Sequence, residues 1–358
     1  MKLLIPYAPS TIDLAITYRC NLGCNHCNLS CKIGVGEEMS FGRFTDIYEQ
    51  ILNMGVFKIY LQGGEPFVHS EIKSILEWLT EHSGGIRIII NTNGILLNEN
   101  IIELISHNKD IEIVISLYEN VLKNPTRFRE LIDNMNALNK HGVRIGANYL
   151  ATNENLSLIE TRYYEFEPFI SSFNIIKYVP ISTESRFSLD IPYVNWKSFL
   201  TQMTLRKKEG ELRKATLLLP AAWDFYLPLS NEEISREELE KMWYYIPERE
   251  KPSEGLSCNC GFSTLFIGPD LLVYPCSLIG SHTSLVAGSL NLDNLQNIWR
   301  DSEILNDIRK KTVDDVNSQC TECEVFSICK GGCPGVYYVK HGIDQKDIYD
   351  FRCPTYRG

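Results

Sequence analysis

Three cysteines near the start of the chain have a spacing that could hold a metal cluster. Cys20, Cys24 and Cys27 are separated by three and two residues and directly follow a predicted strand. Three thiolates in such a loop can each bind one iron of a 4Fe-4S cube, which leaves the fourth iron open to another ligand. The alternative is a structural zinc site, in which His26 or Cys31 would provide the fourth ligand.

Eight further cysteines lie in the C-terminal part of the chain, and none stands between Cys31 and Cys258. They are Cys258, Cys260, Cys276, Cys320, Cys323, Cys329, Cys333 and Cys353. Eight thiolates make two sets of four, which fits two further clusters. Two zinc sites or inert buried cysteines are the alternatives. Inert cysteines do not usually collect at the two ends of a chain, so bound metal is the leading interpretation.

Six apolar strands that alternate with amphipathic helices are predicted to position the first cysteines. The strands are 11–17, 56–61, 86–90, 111–117, 143–150 and 172–179. Apolar strands separated by helices predict a parallel sheet covered by helices, and therefore an α/β fold. Six such units are too few for the eight-fold barrel, so we expect a partial (β/α)6 barrel. Active sites of parallel sheets form at the carboxyl ends of the strands, where the cysteine loop lies.

The chain is expected to divide into three parts. Residues 1–180 are the partial barrel, and 181–257 are a bridging segment of exposed helices that ends in a Pro-containing linker. Residues 258–358 are a small Cys-rich α+β domain with a hairpin around Pro269. We therefore expect the second and third metal sites to be built on a separate C-terminal unit.

The CxxxCxxC loop after the first strand resembles the radical S-adenosylmethionine (radical SAM) superfamily. Gln62-Gly63-Gly64-Glu65-Pro66 follows the second strand, as the GGEP motif of that family does. The resemblance implies that this segment binds the methionine amino group of SAM, with the glycines bringing backbone close to the ligand. Glu65 is expected to accept from the ammonium.

Two later residues extend the resemblance. Ser116 ends the fourth strand in ISLYEN, where relatives often have S-L-D-G, and by analogy its hydroxyl helps to hold SAM. Tyr118 takes the place of the usual acid, with Glu119 next to it. Arg127 matches a family arginine that pairs with the SAM carboxylate.

The C-terminal cysteines resemble the SPASM extension of radical SAM enzymes, which carries two auxiliary 4Fe-4S clusters. The resemblance implies two interleaved ligand sets: Cys258, Cys260, Cys276 and Cys333 for the first auxiliary cluster, and Cys320, Cys323, Cys329 and Cys353 for the second. Cys31 is then left over, and a lone thiol is most often a small buried hydrophobe. Relatives usually have Gly where Leu271 stands, and we expect Gly268 to make the turn instead.

The resemblance implies an enzyme with three 4Fe-4S clusters and SAM as cofactors. SAM is cleaved to a 5′-deoxyadenosyl radical, which abstracts a hydrogen atom from the substrate. The expected function is oxidoreductase-type modification of a ribosomally made peptide by crosslinking, thioether formation, oxidation or epimerisation. The alternative is a sugar or aminocyclitol dehydrogenase or epimerase of the same architecture. A non-catalytic zinc-binding interaction module is the third possibility.

Composition limits the partners. The 358 residues carry a formal net charge of −10, which argues against nucleic-acid binding. No apolar run approaches the ~20 residues of a membrane span, and the N-terminus has no signal-peptide core, so we expect a cytoplasmic protein. A flavodoxin or ferredoxin-type electron donor could dock on the basic runs 206–208 and 309–311, although such runs are more often solvated helix faces.

Overall fold

A ten-stranded sheet is the framework of the protein. The computed structural model describes residues 7–181, 187–230, 234–245 and 255–356. The strands are β1 (Thr11–Thr17), β2 (Arg19–Cys20), β3 (Lys32–Ile33), β4 (Lys58–Gly63), β5 (Arg87–Thr92), β6 (Ile111–Leu117), β7 (Ile145–Ala151), β8 (Ser172–Lys177), β9 (Ala215–Leu218), β10 (Thr264–Ile267), β11 (Leu272–Tyr274) and β12 (Gly288–Ser289). In the large sheet the order is β12-β11-β10-β1-β4-β5-β6-β7-β8-β9, whereas β2 and β3 form a separate small sheet.

Helices connect these strands. They are α1 (Phe41–Met54), α2 (Ile72–His82), α3 (Glu99–Ser106), α4 (Glu119–Leu122), α5 (Pro125–Lys140), α6 (Ile159–Phe166), α7 (Tyr193–Lys208), α8 (Trp223–Leu229), α9 (Arg236–Trp243), α10 (Leu295–Asp301), α11 (Glu303–Lys310), α12 (Ser318–Thr321), α13 (Phe326–Cys329) and α14 (Pro334–His341). The Ser40 hydroxyl caps α1 by accepting from the Arg43 amide at 3.3 Å, as N-cap serines do. Within the described ranges, no helix has the length and apolar character needed to cross a membrane.

The six predicted strands are all present and build the expected partial barrel. Successive strands pair in parallel in the order β1-β4-β5-β6-β7-β8. Their side chains are buried on both faces, so that β6 has six of its seven residues buried, which is typical of a helix-covered parallel sheet. In the described residues the sheet ends at β9 and β12, which do not pair with each other. The barrel is therefore open.

The segment 181–257 contributes more than the helices expected there. α7 and α9 are present, but β9 pairs in parallel with β8 and adds a seventh strand to the barrel. The strand has only four residues, too few for its period to be read from the sequence. α7 is not an exposed helix, because Trp196 and Leu200 are fully buried. The predicted linker is 247–257, and its residues 247–254 lie outside the described residues.

The C-terminal region joins the barrel directly through its hairpin. β10 pairs in parallel with β1, and β11 returns antiparallel to β10 around Pro269, as predicted. The turn itself differs from the expectation, because Leu271, and not Gly268, adopts the left-handed conformation, with φ +65°. The residue at the family's glycine position thus keeps the backbone shape that glycine favours.

This pairing yields a prediction about stability. Leu265 on β10 is fully buried, whereas Leu292 is 89 % exposed. Leu265→Ala is expected to lower the free energy of unfolding by about 2–5 kcal/mol, because it leaves a cavity beside β1. Leu292→Ala is the control and should stay within about 0.5 kcal/mol of the parent. Urea unfolding of both variants is the measurement, and equal stability of the two would contradict the integration of β10 into the core.

Candidate active site

A cavity of about 740 Å³ opens at the carboxyl ends of the barrel strands. Its wall includes all three cysteines of the first motif and the GGEP segment as far as Glu65. Residues of the C-terminal region, among them Cys258 and Ser277, close the opposite side. The cavity therefore lies between the first cysteine motif and the first auxiliary set, at the place where parallel sheets form ligand sites.

The Gly63-Gly64 pair packs against the backbone that leads into Cys20. The Gly64 amide donates to the Thr17 carbonyl at 2.7 Å, and the Glu65 amide donates to the Arg19 carbonyl at 3.0 Å. A Cβ on Gly63 would stand 2.2 Å from the Thr17 oxygen, and one on Gly64 would stand 2.1 Å from the Arg19 oxygen. Both positions therefore require glycine for a close approach of two backbones, which fixes the entrance of the cysteine loop.

Glu65 is fully enclosed by protein donors. One carboxylate oxygen accepts from the Thr92 hydroxyl at 2.6 Å and from the Phe67 amide at 3.3 Å, and the other accepts from the Asn93 amide at 2.8 Å. Burial raises the pKa of Glu65 to about 7, against the lowering effect of these hydrogen bonds. The side chain ties the end of β4 to the end of β5, a positioning role that the sequence did not indicate.

Polar side chains at successive strand ends line one side of the cavity. They are Gln62 on β4, Asn91 and Asn93 at the end of β5, Ser116 on β6 and Asn148 on β7. Asn93 Nδ2 donates to Asn21 Oδ1 at 2.7 Å, which connects the end of β5 to the cysteine loop. Asn91 Oδ1 is buried without a hydrogen-bond partner among the described residues. Sequence reasoning named Gln62 and Ser116 but missed the asparagines, although a polar residue ending an apolar strand was a usable signal.

The first cysteine motif forms a half-buried loop with Cys31 beside it. Burial raises the pKa of Cys24 to about 12. A side-chain hydrogen bond from Cys31 lowers the pKa of Cys27 to about 6, and the Cys31 amide also donates to the Cys27 sulfur at 3.4 Å. Cys31 thus has a specific contact, since both its thiol and its amide donate to a motif sulfur.

Tyr118 stands where the family's acid is usual and faces the cysteine loop. Its ring lies 4.9 Å from that of His26, whose Nε2 is buried without a partner in the described structure. Its neighbour Glu119 is turned away and holds Arg162 through both carboxylate oxygens, at 2.9 and 3.1 Å. Arg127 is half-buried on the first turn of α5 and is not among the described residues that line the cavity.

The first auxiliary cysteine set meets in space across a long sequence separation. The thiol of Cys260 contacts those of Cys258 and Cys276, and these contacts with burial raise the pKa of Cys260. The sulfur of Cys333 is close enough to Cys258 and Cys276 for their charges to add to burial, which is the main cause of its raised pKa. The structure therefore brings these four thiols together, as the SPASM resemblance implied.

The second auxiliary set surrounds a small cavity of its own. Cys320, Cys323, Cys329 and Cys353 all line it, together with Trp223 and Asp350. Burial raises the pKa of Cys320 and of Cys353 to about 11 each. Within the described residues, no three His, Cys, Asp or Glu side chains converge tightly enough for one metal ion. Thiolates of a cluster bind different irons, whereas a zinc ion draws four ligands to one centre.

The side of the cavity that follows β8 and β9 is apolar. Its residues are Leu150, Ile176, Val179, Leu217, Leu218, Leu219, Pro220, Ala221, Ala222, Leu278 and Ile328, with Tyr178, Tyr244 and Tyr245. Among the described lining residues, only Glu65 and Lys177 belong to the Asp, Glu, Lys and Arg types. The Lys177 ammonium lies 2.5 Å from Asp224 Oδ1. Both charges are therefore already paired or hydrogen-bonded inside the protein.

The two basic runs do not form open cationic surfaces. Lys207 is buried and donates to the carbonyls of Leu212 and Ala215 at 2.8 and 2.7 Å, while Arg206 is ion-paired with Glu160 and Glu211. Arg309 is 2 % exposed and donates to main-chain carbonyls. The sequence signal for an electron-donor docking site therefore finds little support at these positions.

Comparison with known proteins identifies the family. A model of the radical SAM superfamily matches residues 14–161, and a model described as an iron–sulfur cluster-binding domain, SPASM, matches residues 258–324. The chain belongs to the radical SAM superfamily and carries a SPASM domain. It is a radical SAM enzyme whose cofactors are 4Fe-4S clusters and SAM.

Several named proteins resemble the chain over most of its length. Mycofactocin maturase MftC of Mycolicibacterium smegmatis is 24 % identical over 91 % of this chain and 78 % of its own. The AdoMet-dependent heme synthase of Methanosarcina barkeri is 21 % identical over 90 % of this chain and 91 % of its own. The crystal structure of Streptococcus suis SuiB bound to the precursor peptide SuiA shares the fold, with a TM-score of 0.75 at 19 % identity over 98 % of this chain and 77 % of that one.

The close backbone contact at Gly64 predicts that a side chain is not tolerated there, in contrast to Gly42 on α1. Gly64→Ala is expected to lower the free energy of unfolding by about 1–3 kcal/mol, because the new Cβ would overlap the Arg19 carbonyl. It should also weaken SAM binding by displacing the cysteine loop. The control is Gly42→Ala on α1, where a Cβ meets nothing within 4 Å, so stability should be kept or raised by up to about 1 kcal/mol. Thermal unfolding and equilibrium dialysis with SAM check both variants.

Proposed function

We propose that this enzyme modifies a ribosomally made peptide, at a residue with an uncharged, apolar or aromatic side chain. The observation that carries the proposal is the apolar side of the cavity, which lies opposite the polar strand ends and reaches Leu278 and Ile328 of the C-terminal region. An apolar side chain gains free energy on entering such a wall. The hydroxyl groups of a sugar would lose their hydrogen bonds to water there, which disfavours the sugar and aminocyclitol alternative.

The named relatives support a peptide substrate. SuiB was crystallised bound to the precursor peptide SuiA, and both SuiB and the mycofactocin maturase align with most of this chain. The heme synthase is a relative with a different kind of substrate. A tetrapyrrole carries carboxylates, and the one cation in the described cavity wall, Lys177, is already paired with Asp224. We therefore propose a peptide rather than a tetrapyrrole as the substrate.

We further propose that SAM occupies the polar side of the cavity. Gln62 and Ser116 at strand ends, and the backbone of Gly63 and Gly64, would hold it. Asn91, with its unpartnered buried oxygen, fits the same set. Glu65 would not contact SAM, because its carboxylate oxygens already accept hydrogen bonds from protein donors. Its proposed role is to hold the ends of β4 and β5 together. Arg127 is left out of the proposed SAM set because it does not line the cavity.

The cysteines are proposed as ligands of three clusters. Cys20, Cys24 and Cys27 would hold the SAM-binding one, and each auxiliary set would hold another, fully protein-ligated cluster. Bound there, the first cluster and SAM would supply radical chemistry, the abstraction of a hydrogen atom from the substrate. The protein would hold SAM against the polar side of the cavity and the substrate against the apolar side, and it would exclude water from both.

The position of the first auxiliary set favours a role near the substrate. Asn28 of the cysteine loop donates to the Ser277 carbonyl at 3.1 Å, and Ser281 donates back to the Asn28 carbonyl at 3.0 Å. These bonds tie the loop to the segment that follows Cys276, so the proposed clusters face one cavity.

We also propose that the chain has three functional parts, 1–180, 181–257 and 258–358. We further propose an electron donor of the flavodoxin or ferredoxin type and a cytoplasmic location.

The cluster assignment predicts an iron count. The full chain, reconstituted anaerobically with iron and sulfide, should bind about twelve iron atoms and form 5′-deoxyadenosine from SAM and a reductant. The Cys20→Ala, Cys24→Ala, Cys27→Ala triple variant should bind about eight and form none. Cys31→Ala is the matched control from the same loop and should keep about twelve. Cleavage of SAM by the triple variant would contradict the assignment.

The substrate class is tested with peptides encoded by short open reading frames beside the gene. Mass spectrometry should show loss of two hydrogens for an oxidation or a crosslink, and unchanged mass with altered stereochemistry for an epimerisation. The proposal fails if a sugar, an aminocyclitol or a tetrapyrrole is converted while no such peptide changes.

The apolar wall generates a separate prediction about affinity. Leu218 is 49 % exposed where it lines the cavity. Leu218→Asp is expected to raise the KM for the peptide at least about tenfold, or about 1.4 kcal/mol, because it places a carboxylate in the proposed substrate wall. SAM cleavage without peptide should be unchanged. Leu292→Asp, at another exposed leucine outside the cavity wall, is the control, and an equal KM for both variants would speak against this wall as the peptide site.

A further inference from the structure

A buried network of charged side chains lies between the cavity and the two auxiliary cysteine sets. Its members are Lys177, Asp224, Asp350 and Arg352, and each is at most 2 % exposed. Two positive and two negative charges balance one another, as buried charges must. The Trp223 ring lies among them, with the Lys177 ammonium at 4.8 Å and the Arg352 guanidinium at 5.6 Å from its centroid.

Asp350 holds a ligand segment of each auxiliary set. Its Oδ2 accepts from the Cys333 amide at 3.4 Å and from Trp223 Nε1 at 3.1 Å, and its backbone carbonyl accepts from the Cys353 amide at 2.9 Å. Cys333 belongs to the first set and Cys353 to the second. One carboxylate residue therefore fixes the separation of the two proposed clusters.

Arg352 completes this arrangement with its guanidinium. Nε donates to Asp350 Oδ1 at 2.9 Å, and one terminal nitrogen donates to Asp350 Oδ2 at 2.5 Å. The other terminal nitrogen is 3.7 Å from Asp224 Oδ2, too far for a hydrogen bond. Both of those atoms are buried without a hydrogen-bond partner among the described residues. The Arg352 guanidinium and the Cys333 amide donate to the same Asp350 oxygen, Oδ2, so the guanidinium lies next to the backbone of this ligand.

We propose that Arg352 is a positioning residue of the auxiliary clusters that also raises the reduction potential of the cluster held by Cys258, Cys260, Cys276 and Cys333. Net charge and hydrogen bonds to the sulfurs set the potential of an iron–sulfur cluster. A fixed positive charge beside Cys333 stabilises the more negative, reduced state. One terminal nitrogen of Arg352 is buried without a hydrogen-bond partner among the described residues, so the positive charge is not fully neutralised by hydrogen bonds. The proposal rests on the ligand sets given under Proposed function.

The test measures midpoint potentials and needs no substrate. The full chain carrying Cys20→Ala, Cys24→Ala and Cys27→Ala leaves only the two auxiliary clusters, which EPR-monitored redox titration can follow. In that background Arg352→Gln is expected to lower the equilibrium constant for reduction of the Cys333-bound cluster at least tenfold, which is about 59 mV for one electron. Arg352→Lys keeps the charge and should recover most of the shift. Asp350→Asn removes a negative charge and should shift the potential in the opposite direction.

Lys207→Met is the matched control, because it removes a buried cation whose ammonium donates to the backbone carbonyls of Leu212 and Ala215. It should lower stability and leave both midpoints unchanged. Where Arg352→Gln does not load its clusters, Asp350→Asn still decides the question. A wild-type midpoint of the Cys333-bound cluster in loaded Arg352→Gln or in loaded Asp350→Asn overturns the proposal. An iron count in the triple-alanine background that differs from about eight refutes the ligand sets instead, so the two failures are distinguishable.

Discussion

The close approach of two backbones at Gly63 and Gly64 is the constraint on which the site depends. The Gly64 and Glu65 amides donate to the carbonyls of Thr17 and Arg19, immediately before Cys20. A Cβ on either glycine would overlap one of these two carbonyls. The cysteine loop therefore leaves the sheet at a fixed point and in a fixed direction. Glu65 and Asn93 continue the same hydrogen-bonded connection to the end of β5 and back to Asn21 of the loop. The motif glycines thus build the site as well as facing it.

The second constraint is the pairing of β10 with β1. It makes the C-terminal hairpin part of the barrel sheet and places Cys258 and Ser277 in the cavity wall. The bonds between Asn28 and the segment after Cys276 then close the gap between the two cysteine regions. A substrate in this cavity would lie between the proposed SAM side and the proposed first auxiliary set.

A group of buried charged side chains lies behind the apolar wall of the cavity. The wall next to the proposed substrate is apolar, whereas Asp224, Asp350 and Arg352 lie behind it against the auxiliary cysteines. Separate environments of this kind let one fold bind a neutral side chain and still stabilise clusters that carry negative charge. The network also explains why Trp223, a residue of the bridge, contacts a cysteine-bearing segment 127 positions away.

The sequence by itself determined the features that depend on near neighbours. The six apolar strands and the hairpin around Pro269 are local patterns, and each predicted its element correctly. The interleaving of the auxiliary cysteines was available only through family resemblance, because 56 residues separate Cys276 from Cys333 and 23 residues separate Cys329 from Cys353. Only the tertiary structure decided the rest. β9 joined the barrel, Lys207 and Arg309 turned inward, Arg127 stayed outside the cavity, and Leu271 took the left-handed turn. These outcomes depend on packing between segments that are distant in the chain. Such contacts produce no periodic pattern in the sequence of either segment.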